Sequence, residues 1–284
     1  MSLIKTYGLI GNPIKHSLSP VMHNSAFKAL NIDSEYKLFE LKEKELAGFL
    51  ESLKENNIQG LNVTYPYKEK VVPLMTSLSV EAGLVGVVNT IRFFSDGLEG
   101  FNTDGEGFYR HLSEDLKFSP SGKNIAILGA GGAARAIAVY LCKSQPSSIA
   151  IYDIDQSRIR ALIERLRYFK KVNFKAVESV HELGLKDCSL LVNCTPVGMK
   201  QNDPLLVNPE LIHKDLLVYD LIYGPQDSRL LWIARERGAV CSNGLGMLLH
   251  QGALAFKIWT GQDAPLAVMR QALEDGMKDT GHGD

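Results

Sequence analysis

The chain of 284 residues carries 31 basic and 32 acidic residues, a nearly neutral balance that excludes the charge pattern of a nucleic-acid binder or a membrane-surface protein. The length suffices for a large core, and two domains are expected. The four cysteines form no CxxC pair, no apolar run approaches about 18 residues, and MSLIKTYGLIG has no apolar signal core. We therefore expect a reduced, cytoplasmic protein without a metal site, which binds neither nucleic acid nor a membrane.

Short apolar runs alternate with longer helical patterns, which indicates an α/β fold. In the first block, predicted strands cover 5–11, 34–41, 59–64 and 86–94, and predicted helices cover 19–31 and 42–57. Ser19 before Pro20 has the residue types of a helix N-cap and a first helical position. A further helix is predicted from about Tyr67, and residues 96–107 are rich in turn formers.

A second block begins with a strand, a glycine turn and a helix within residues 123–145. The next predicted elements are a strand at 147–153, a helix at 156–167, and two nearly all-apolar buried parallel strands at 189–196 and 215–223. The tail from Gly246 to Lys278 carries two helical patterns and no strand. A helical tail of this kind is expected to pack back on the other domain.

A glycine turn follows the first strand of the second block. It fits the fingerprint G-x-G-x-x-G/A, and its residues are Gly129, Ala130, Gly131, Gly132, Ala133 and Ala134. Glycine at 129 permits the tight turn, glycine at 131 lets the backbone approach a pyrophosphate, and a small residue at 134 lets the helix pack closely on the strand. The helix N-terminus offers free N–H groups to the anion. The pattern favours a dinucleotide over a methyl donor such as SAM; a ligand-free Gly/Ala-rich turn is the alternative.

An acidic residue, Asp153, ends the strand that follows. A carboxylate there can accept both ribose hydroxyls of NAD and would repel the 2′-phosphate of NADP. Ile154 and Asp155 add an apolar side chain and a further negative charge, and Arg158 is the one nearby cation. NAD is therefore the expected cofactor, unless Asp153 is only an exposed turn residue.

Polar side chains follow the predicted strands of the first block, where open α/β sheets place ligands. They are Ser17, Ser19, Asn62, Thr64, Lys68, Asn89 and Asp104. Hydroxyls, amides and one Lys/Asp pair suit a small polyhydroxylated acid better than an apolar substrate. Taken singly, each residue is also explained as a cap, a turn former or a surface cation.

Seven segments occur in order between Tyr7 and about Leu273: HSLSPVMHNSAF, GLNVTYPYK, VVNT, GFNTDG, GAGGAARA, NCTPVGM and NGLGMLLHQGALAFKIWTG. Together they resemble the shikimate dehydrogenase family, including its quinate/shikimate dehydrogenase branch. The resemblance implies an N-terminal α/β substrate domain at residues 1–106, a Rossmann-type doubly wound parallel-sheet domain at 107–243, and C-terminal helices at 244–284 that return to the first domain.

The resemblance also implies a role for each site residue. Lys68 and Asp104 would form the catalytic pair, and Ser17 and Ser19 would hold the substrate carboxylate. Asn62, Thr64 and Asn89 would form hydrogen bonds to the carboxylate region or the ring hydroxyls. Tyr223 would lie near the carboxylate, and Gln251 would close the site from the C-terminal tail. The backbone at Gly244 would contact the cofactor near the nicotinamide.

One segment departs from the NADP-using members of this family, which usually carry Asn-Arg-Thr after the second strand of the nucleotide domain. This chain has Asp153-Ile154-Asp155 there, and Arg158 matches a second basic position. The pattern resembles the NAD-preferring quinate/shikimate branch, although NADP is the family default. Ser19, in contrast, looks like the shikimate-selective form.

The implied reaction is the reversible oxidation of shikimate to 3-dehydroshikimate with NAD or NADP, a step of chorismate and aromatic amino acid biosynthesis. Lys68 would move the hydroxyl proton while Asp104 orients Lys68 and the substrate. Two alternatives are an NAD-dependent quinate/shikimate dehydrogenase and a non-catalytic dinucleotide-binding regulator. The resemblance makes a homodimer the expected assembly.

Overall fold

In the computed structural model, the described residues are 4–94, 97–200 and 202–280. They divide into two units, one from Met1–Gly107 and Leu249–Asp284 and the other from Phe108–Leu248. Each unit contains one six-stranded sheet. Residues 1–3 and 281–284 of the predicted domains, and Asp96 of the predicted turn, lie outside the described residues.

The first unit is built on a mixed sheet. Its elements are β1 (Lys5–Gly11), α1 (Ser19–Ala29), β2 (Ser34–Glu40), α2 (Leu46–Glu51), β3 (Ile58–Val63), β4 (Ser77–Leu78), α3 (Val80–Val85), β5 (Thr90–Phe94) and β6 (Gly97–Phe101). The strand order is β2-β1-β3-β5-β6-β4, with β1 parallel to β2 and β3, and with antiparallel pairs β3/β5 and β5/β6. Ile10, Leu61 and Ile91, from three adjacent strands, are fully buried in the core.

Three local predictions for the first unit are wrong. No helix begins near Tyr67. The segment instead forms turns, followed by a 3₁₀ turn at Val72–Leu74. The cause is a backbone hydrogen bond to a neighbouring segment, in which the Val88 N–H donates to the Lys68 carbonyl at 2.9 Å. Ser19 is not the N-cap, since α1 begins at Ser19 and the cap position is Leu18. The turn-rich segment contains β6, which forms a hairpin with β5.

The second unit has an all-parallel sheet. Its elements are α4 (Asp104–Arg110), β7 (Asn124–Leu128), α5 (Gly132–Lys143), β8 (Ser148–Tyr152), α6 (Gln156–Leu166), β9 (Asn173–Ala176), β10 (Leu190–Asn193), β11 (Leu217–Asp220), α7 (Arg229–Glu236) and β12 (Val240–Ser242), with α4 beginning in the first unit. The strand order, β12-β11-β10-β7-β8-β9, is that of a doubly wound dinucleotide-binding sheet. Its order reverses between β7 and β10, where such sheets bind ligands.

Two helices complete the chain, α8 (Leu245–Thr260) and α9 (Leu266–Thr280), and α9 packs against α1. From α8, Trp259 stacks on Tyr7 with ring centroids 5.2 Å apart and donates its indole N–H to the Ile91 carbonyl at 3.0 Å. A Cβ atom at Gly60 would lie 2.4 Å from the Trp259 ring, so glycine is required for this contact. The C-terminal helices therefore return to the first unit, as predicted.

Shorter helical segments are 3₁₀ turns at Glu43–Glu45, Val72–Leu74, Val180–Leu183, Leu185–Asp187 and Pro209–Leu211, and a π-helical turn at His111–Asp115. Within residues 4–94, 97–200 and 202–280, the helices are all too short or too polar to span a membrane.

Candidate active site

A partly buried ion pair joins Lys68, in the turn after β3, to Asp104, the first residue of α4. The Lys68 Nζ atom lies 2.6 Å from Oδ2 of Asp104, and the two side chains are 23% and 5% exposed. The Asp104 N–H donates to Oδ1 of Asn102 at 3.2 Å, which fixes the start of the helix. The lysine thus keeps some access to solvent, whereas its carboxylate partner is nearly enclosed.

Asn89 ties this pair to its surroundings. Its side-chain amide donates to Oδ1 of Asp104 at 2.9 Å and to Oγ1 of Thr103 at 2.8 Å, and lies 3.3 Å from Oε1 of Gln251 in α8. Its carbonyl oxygen accepts from the Thr103 N–H at 2.8 Å and from the Thr90 hydroxyl at 3.0 Å. The amide orientation of Asn89 is therefore fixed, and with it one oxygen of Asp104.

A second chain of hydrogen bonds runs from Thr90 to α1. The amide of Asn62 donates to the Thr90 hydroxyl at 3.1 Å, and the Tyr36 hydroxyl donates to Oδ1 of Asn62 at 2.8 Å. Burial raises the pKa of Tyr36 well above its ordinary value, and a hydrogen bond with Ser19 opposes the rise. Tyr36 is therefore a protonated donor to Asn62, one of the predicted substrate residues.

Sequence reasoning missed Tyr36, Thr90 and Thr103. The segment HSLSPVMHNSAF, which carries the family resemblance, holds the backbone of Tyr36 through Asn24. The Asn24 side chain accepts the Tyr36 N–H at 2.7 Å and donates to the Tyr36 carbonyl at 3.1 Å. The other two residues adjoin Asn89 and Asp104 in the chain.

Ser17 and Thr64 are placed at the ends of elements in the same unit. The Ser17 hydroxyl accepts the Ser19 N–H at 3.2 Å, just before α1. Thr64 follows β3, and its methyl group would lie 2.4 Å from a Cβ atom at Gly11. Among the described residues, neither the Ser17 hydroxyl nor the Thr64 side chain is hydrogen-bonded to the Lys68–Asp104 pair.

His23 lies behind this network in an apolar setting. Its ring stacks on Tyr36 at 4.5 Å, it is fully buried, and within the described part of the chain its two nitrogens have no hydrogen-bond partner. Burial lowers its pKa from 6.5 to about 3, so it is neutral in the folded chain.

We expect this histidine to produce an acid-dependent loss of stability. Between pH 6.5 and about 3 the unfolded chain binds one proton that the folded chain does not, so the free energy of unfolding falls by up to about 1.4 kcal/mol per pH unit as the pH is lowered. His23→Leu should remove this part of the slope, measured by urea unfolding monitored by tryptophan fluorescence from pH 7 to 4. His181→Gln, at an exposed position, is the control; equal slopes in His23→Leu and the unaltered chain would contradict the assignment.

The glycine turn lies at the switch point of the second sheet. Gly129 has φ +95°, a conformation that favours glycine. A Cβ atom at Gly131 would meet open space, and no side chain caps the start of α5. Ala130 and Ala134 are fully buried, whereas Gly131, Gly132 and Ala133 are partly exposed. The turn therefore presents free backbone N–H groups beside open space, which fits a dinucleotide pyrophosphate.

Asp153 is buried rather than exposed. Its Oδ2 accepts the Ala130 N–H at 2.7 Å and its Oδ1 accepts the Asp155 N–H at 2.8 Å, so the carboxylate braces the glycine turn. Asp155 accepts the Ser157 N–H at the start of α6 and lies 3.5 Å from Nε of Arg158. Ile154 is 92% exposed.

Two further predicted residues, Tyr223 and Gly244, belong to the second unit. Burial raises the pKa of Tyr223. A Cβ atom at Gly244 would lie 2.1 Å from the Leu221 carbonyl oxygen, so the backbone passes too closely for any other residue.

A doubly wound parallel sheet with a glycine turn at its switch point, in a chain that also holds a partly buried Lys–Asp ion pair, defines the class: a dinucleotide-dependent oxidoreductase. The chain is 45% identical over 276 residues to the shikimate dehydrogenase (NADP(+)) of Methanopyrus kandleri, covering 95% of each protein. The chain therefore belongs to the shikimate dehydrogenase family.

Family models and solved structures agree with this assignment. Residues 9–91 match the shikimate dehydrogenase substrate binding domain, and residues 244–274 match the shikimate 5′-dehydrogenase C-terminal domain. A shikimate dehydrogenase in complex with NADP+ has a TM-score of 0.87 at 37% identity, covering 96% of each chain. Shikimate 5-dehydrogenase from Listeria monocytogenes in complex with shikimate and NAD has a TM-score of 0.85 at 35% identity, covering 95% of this chain and 96% of that one.

Proposed function

We propose that Lys68 and Asp104 are the acid–base pair of this shikimate dehydrogenase, which reversibly oxidises shikimate to 3-dehydroshikimate with NAD or NADP. The observation that supports this role is the 2.6 Å contact between Nζ and Oδ2, in which the lysine is partly accessible and the carboxylate is enclosed. General acid–base catalysis needs such a positioned, accessible proton carrier.

During oxidation the Lys68 amine accepts the substrate hydroxyl proton, and during reduction the ammonium group returns it to the carbonyl oxygen. Asp104 holds the amine in place through Oδ2, and Asn89 holds Asp104 through Oδ1. The dinucleotide, when bound, supplies the hydride acceptor or donor. Lys68 therefore carries the proton, while Asp104 and Asn89 fix the orientation of its amine.

We further infer that the hydroxyl and amide residues of the first unit bind the substrate. Ser17 and Ser19 would hold its carboxylate. Asn62, Thr64 and Asn89 would bind the carboxylate region or the ring hydroxyls, and Gln251 would close the site. The hydrogen bonds from Tyr36 through Asn62 to Thr90 support this assignment, because they orient the Asn62 amide before substrate arrives. Tyr223 near the carboxylate and Gly244 near the nicotinamide stay predictions.

The cofactor that we propose is NAD, held by the glycine turn (Gly129 to Ala133) and by Asp153. The exposed Ile154 provides no positive charge for a 2′-phosphate, and Arg158 is paired with Asp155. The Methanopyrus relative is named for NADP(+), so this preference is a specific departure to be tested. Arg158 alone would clamp the 2′-phosphate of NADP poorly.

Ile154→Arg is expected to shift the ratio of kcat/KM for NADP to that for NAD upward by about tenfold or more, because a guanidinium group binds phosphate through paired hydrogen bonds. Steady-state kinetics with both dinucleotides at saturating shikimate measure the ratio. Ile154→Gln, which adds polarity without charge, is the control. An unchanged ratio in Ile154→Arg would contradict the placement of the 2′-phosphate beside residue 154.

The decisive assay measures kcat/KM on shikimate and on quinate, each with NAD and with NADP. Shikimate with NAD should give the highest value. A higher value on quinate would favour a quinate/shikimate dehydrogenase, higher values with NADP would refute the proposed NAD preference, and no turnover in any combination would favour a dinucleotide-binding regulator. A homodimer stays a prediction, which light scattering after size exclusion can check.

A further inference from the structure

Asp220, the last residue of β11, is a fully buried carboxylate in the second unit. Its Oδ1 accepts the side-chain amide of Asn193 at 3.0 Å and the Ile222 N–H at 3.1 Å, and its Oδ2 accepts the Ser228 hydroxyl at 2.6 Å. Burial raises its pKa. A carboxylate costs free energy at such a position, and an apolar residue would fill it more cheaply. The three donors that it accepts from indicate that it holds its neighbours in place.

The side-chain amide of Asn193 connects Asp220 to residues 194–198, the segment that follows β10. Asn193 ends β10 and is fully buried; its NH₂ group faces Asp220 and the Val197 carbonyl, at 3.0 and 3.2 Å. Its oxygen accepts the Thr195 N–H at 3.0 Å and the Thr195 hydroxyl at 2.7 Å. Because Asp220 can only accept hydrogen bonds as a carboxylate, it selects this orientation of the amide. Asn193 then fixes the path of residues 194–198.

Residues 194–198 lie against the glycine turn. A Cβ atom at Gly129 would be 3.1 Å from Cγ2 of Thr195 and 3.3 Å from the carbonyl group of Cys194. The two strands that lead into this contact, β7 and β10, are neighbours at the switch point of the sheet. A displacement of residues 194–198 therefore changes the space in which the glycine turn can lie.

We propose that Asp220 is a positioning residue for the dinucleotide site, acting through Asn193 and residues 194–198 on the glycine turn, without contacting the ligand. It also braces the start of α7, since the Ser228 hydroxyl that it accepts caps the Leu231 N–H. The assignment rests on the proposed function, because it requires that the glycine turn binds a dinucleotide.

The test compares three variants of the full chain: Asp220→Ala, Asp220→Asn and the control Leu216→Ala. Leu216 is fully buried just before β11, at the opposite end of that strand. Calorimetry gives Kd for NAD, for NADP and for shikimate, and hydrogen exchange of residues 194–198 is followed without ligand. Thermal unfolding reports the stability of each variant.

Asp220→Ala should weaken dinucleotide binding by about tenfold, the change that corresponds to loss of one buried hydrogen-bond partner. Exchange in residues 194–198 should become faster, and Kd for shikimate should stay within about twofold. Asp220→Asn, which keeps one acceptor oxygen, should lie between Asp220→Ala and the unaltered chain. Leu216→Ala should lower the Tm and leave the dinucleotide Kd unchanged.

Three outcomes would overturn the positioning role. They are an unchanged dinucleotide Kd in folded Asp220→Ala, an equal loss of affinity in Leu216→Ala, and, where Asp220→Ala does not fold, an unchanged Kd and exchange rate in Asp220→Asn. Failure of the unaltered chain to bind either dinucleotide would instead refute the proposed function, and the positioning role with it.

Discussion

Lys68→Met is expected to lower kcat for shikimate oxidation by about 10²–10⁴-fold, the usual contribution of a positioned general acid or base. Methionine keeps the apolar stem of the side chain and removes the group that carries the proton. Since the glycine turn belongs to the other unit, Kd for the dinucleotide should not change. Steady-state kinetics together with calorimetry separate these two quantities.

Lys70→Met is the matched control for this experiment. Lys70 lies two residues away, is exposed and forms a surface ion pair with Glu43, so its loss should leave kcat unchanged. A purified Lys68→Met enzyme with near-normal kcat would exclude Lys68 as the proton carrier. A parallel loss of dinucleotide affinity would indicate that the variant has a wider structural defect.

Asp104→Asn is expected to lower kcat by about 10²-fold or more, with a smaller loss of stability of about 1–3 kcal/mol. The two oxygens of Asp104 accept from two donors, the Lys68 ammonium and the Asn89 amide. An asparagine side chain has only one acceptor oxygen, so its NH₂ group must face one of these donors. Kinetics and urea unfolding measure the two effects.

The control for Asp104→Asn is Asp33→Asn, at an exposed position in the same unit. The double variant Lys68→Met/Asp104→Asn adds a sharper criterion. If the two residues act as a pair, its kcat should be close to that of Lys68→Met alone, because non-additive losses are typical of groups that act as a unit. Multiplicative losses would show that Asp104 acts separately from Lys68.

Much of the fold could be predicted from the periodicity of apolar residues and from the turn-forming residues between the apolar runs. The apolar runs before the glycine turn and at 189–196 and 215–223 contain β7, β10 and β11 because strands buried on both faces need continuous apolar sequence. The short edge strands β9 and β12 were missed, since edge strands need few apolar residues. The predicted helix from Tyr67 failed because pairing of Lys68 with Val88 decides the backbone there.

The sequence predicted residues of the candidate site but not the hydrogen bonds that join them. Lys68, Asp104 and Asn89 stand far apart in sequence, and only the fold shows that they form one hydrogen-bonded group. The sequence places Asn62 at a strand end but does not show that Tyr36, on another strand of the same sheet, donates to it. Asp153 was expected to be a ligand for ribose, and its hydrogen bond to the Ala130 N–H depends on the path of the turn.

The contact of Trp259 with Gly60 and Ile91 affects the order in which the two units can complete their folding during synthesis. The first unit takes residues from both ends of the chain, whereas the second is continuous. During synthesis the second unit can complete its sheet while the first still lacks α8 and α9. We therefore expect the apolar surface of the first unit that Trp259 covers, around Tyr7, to stay exposed until α8 has been made.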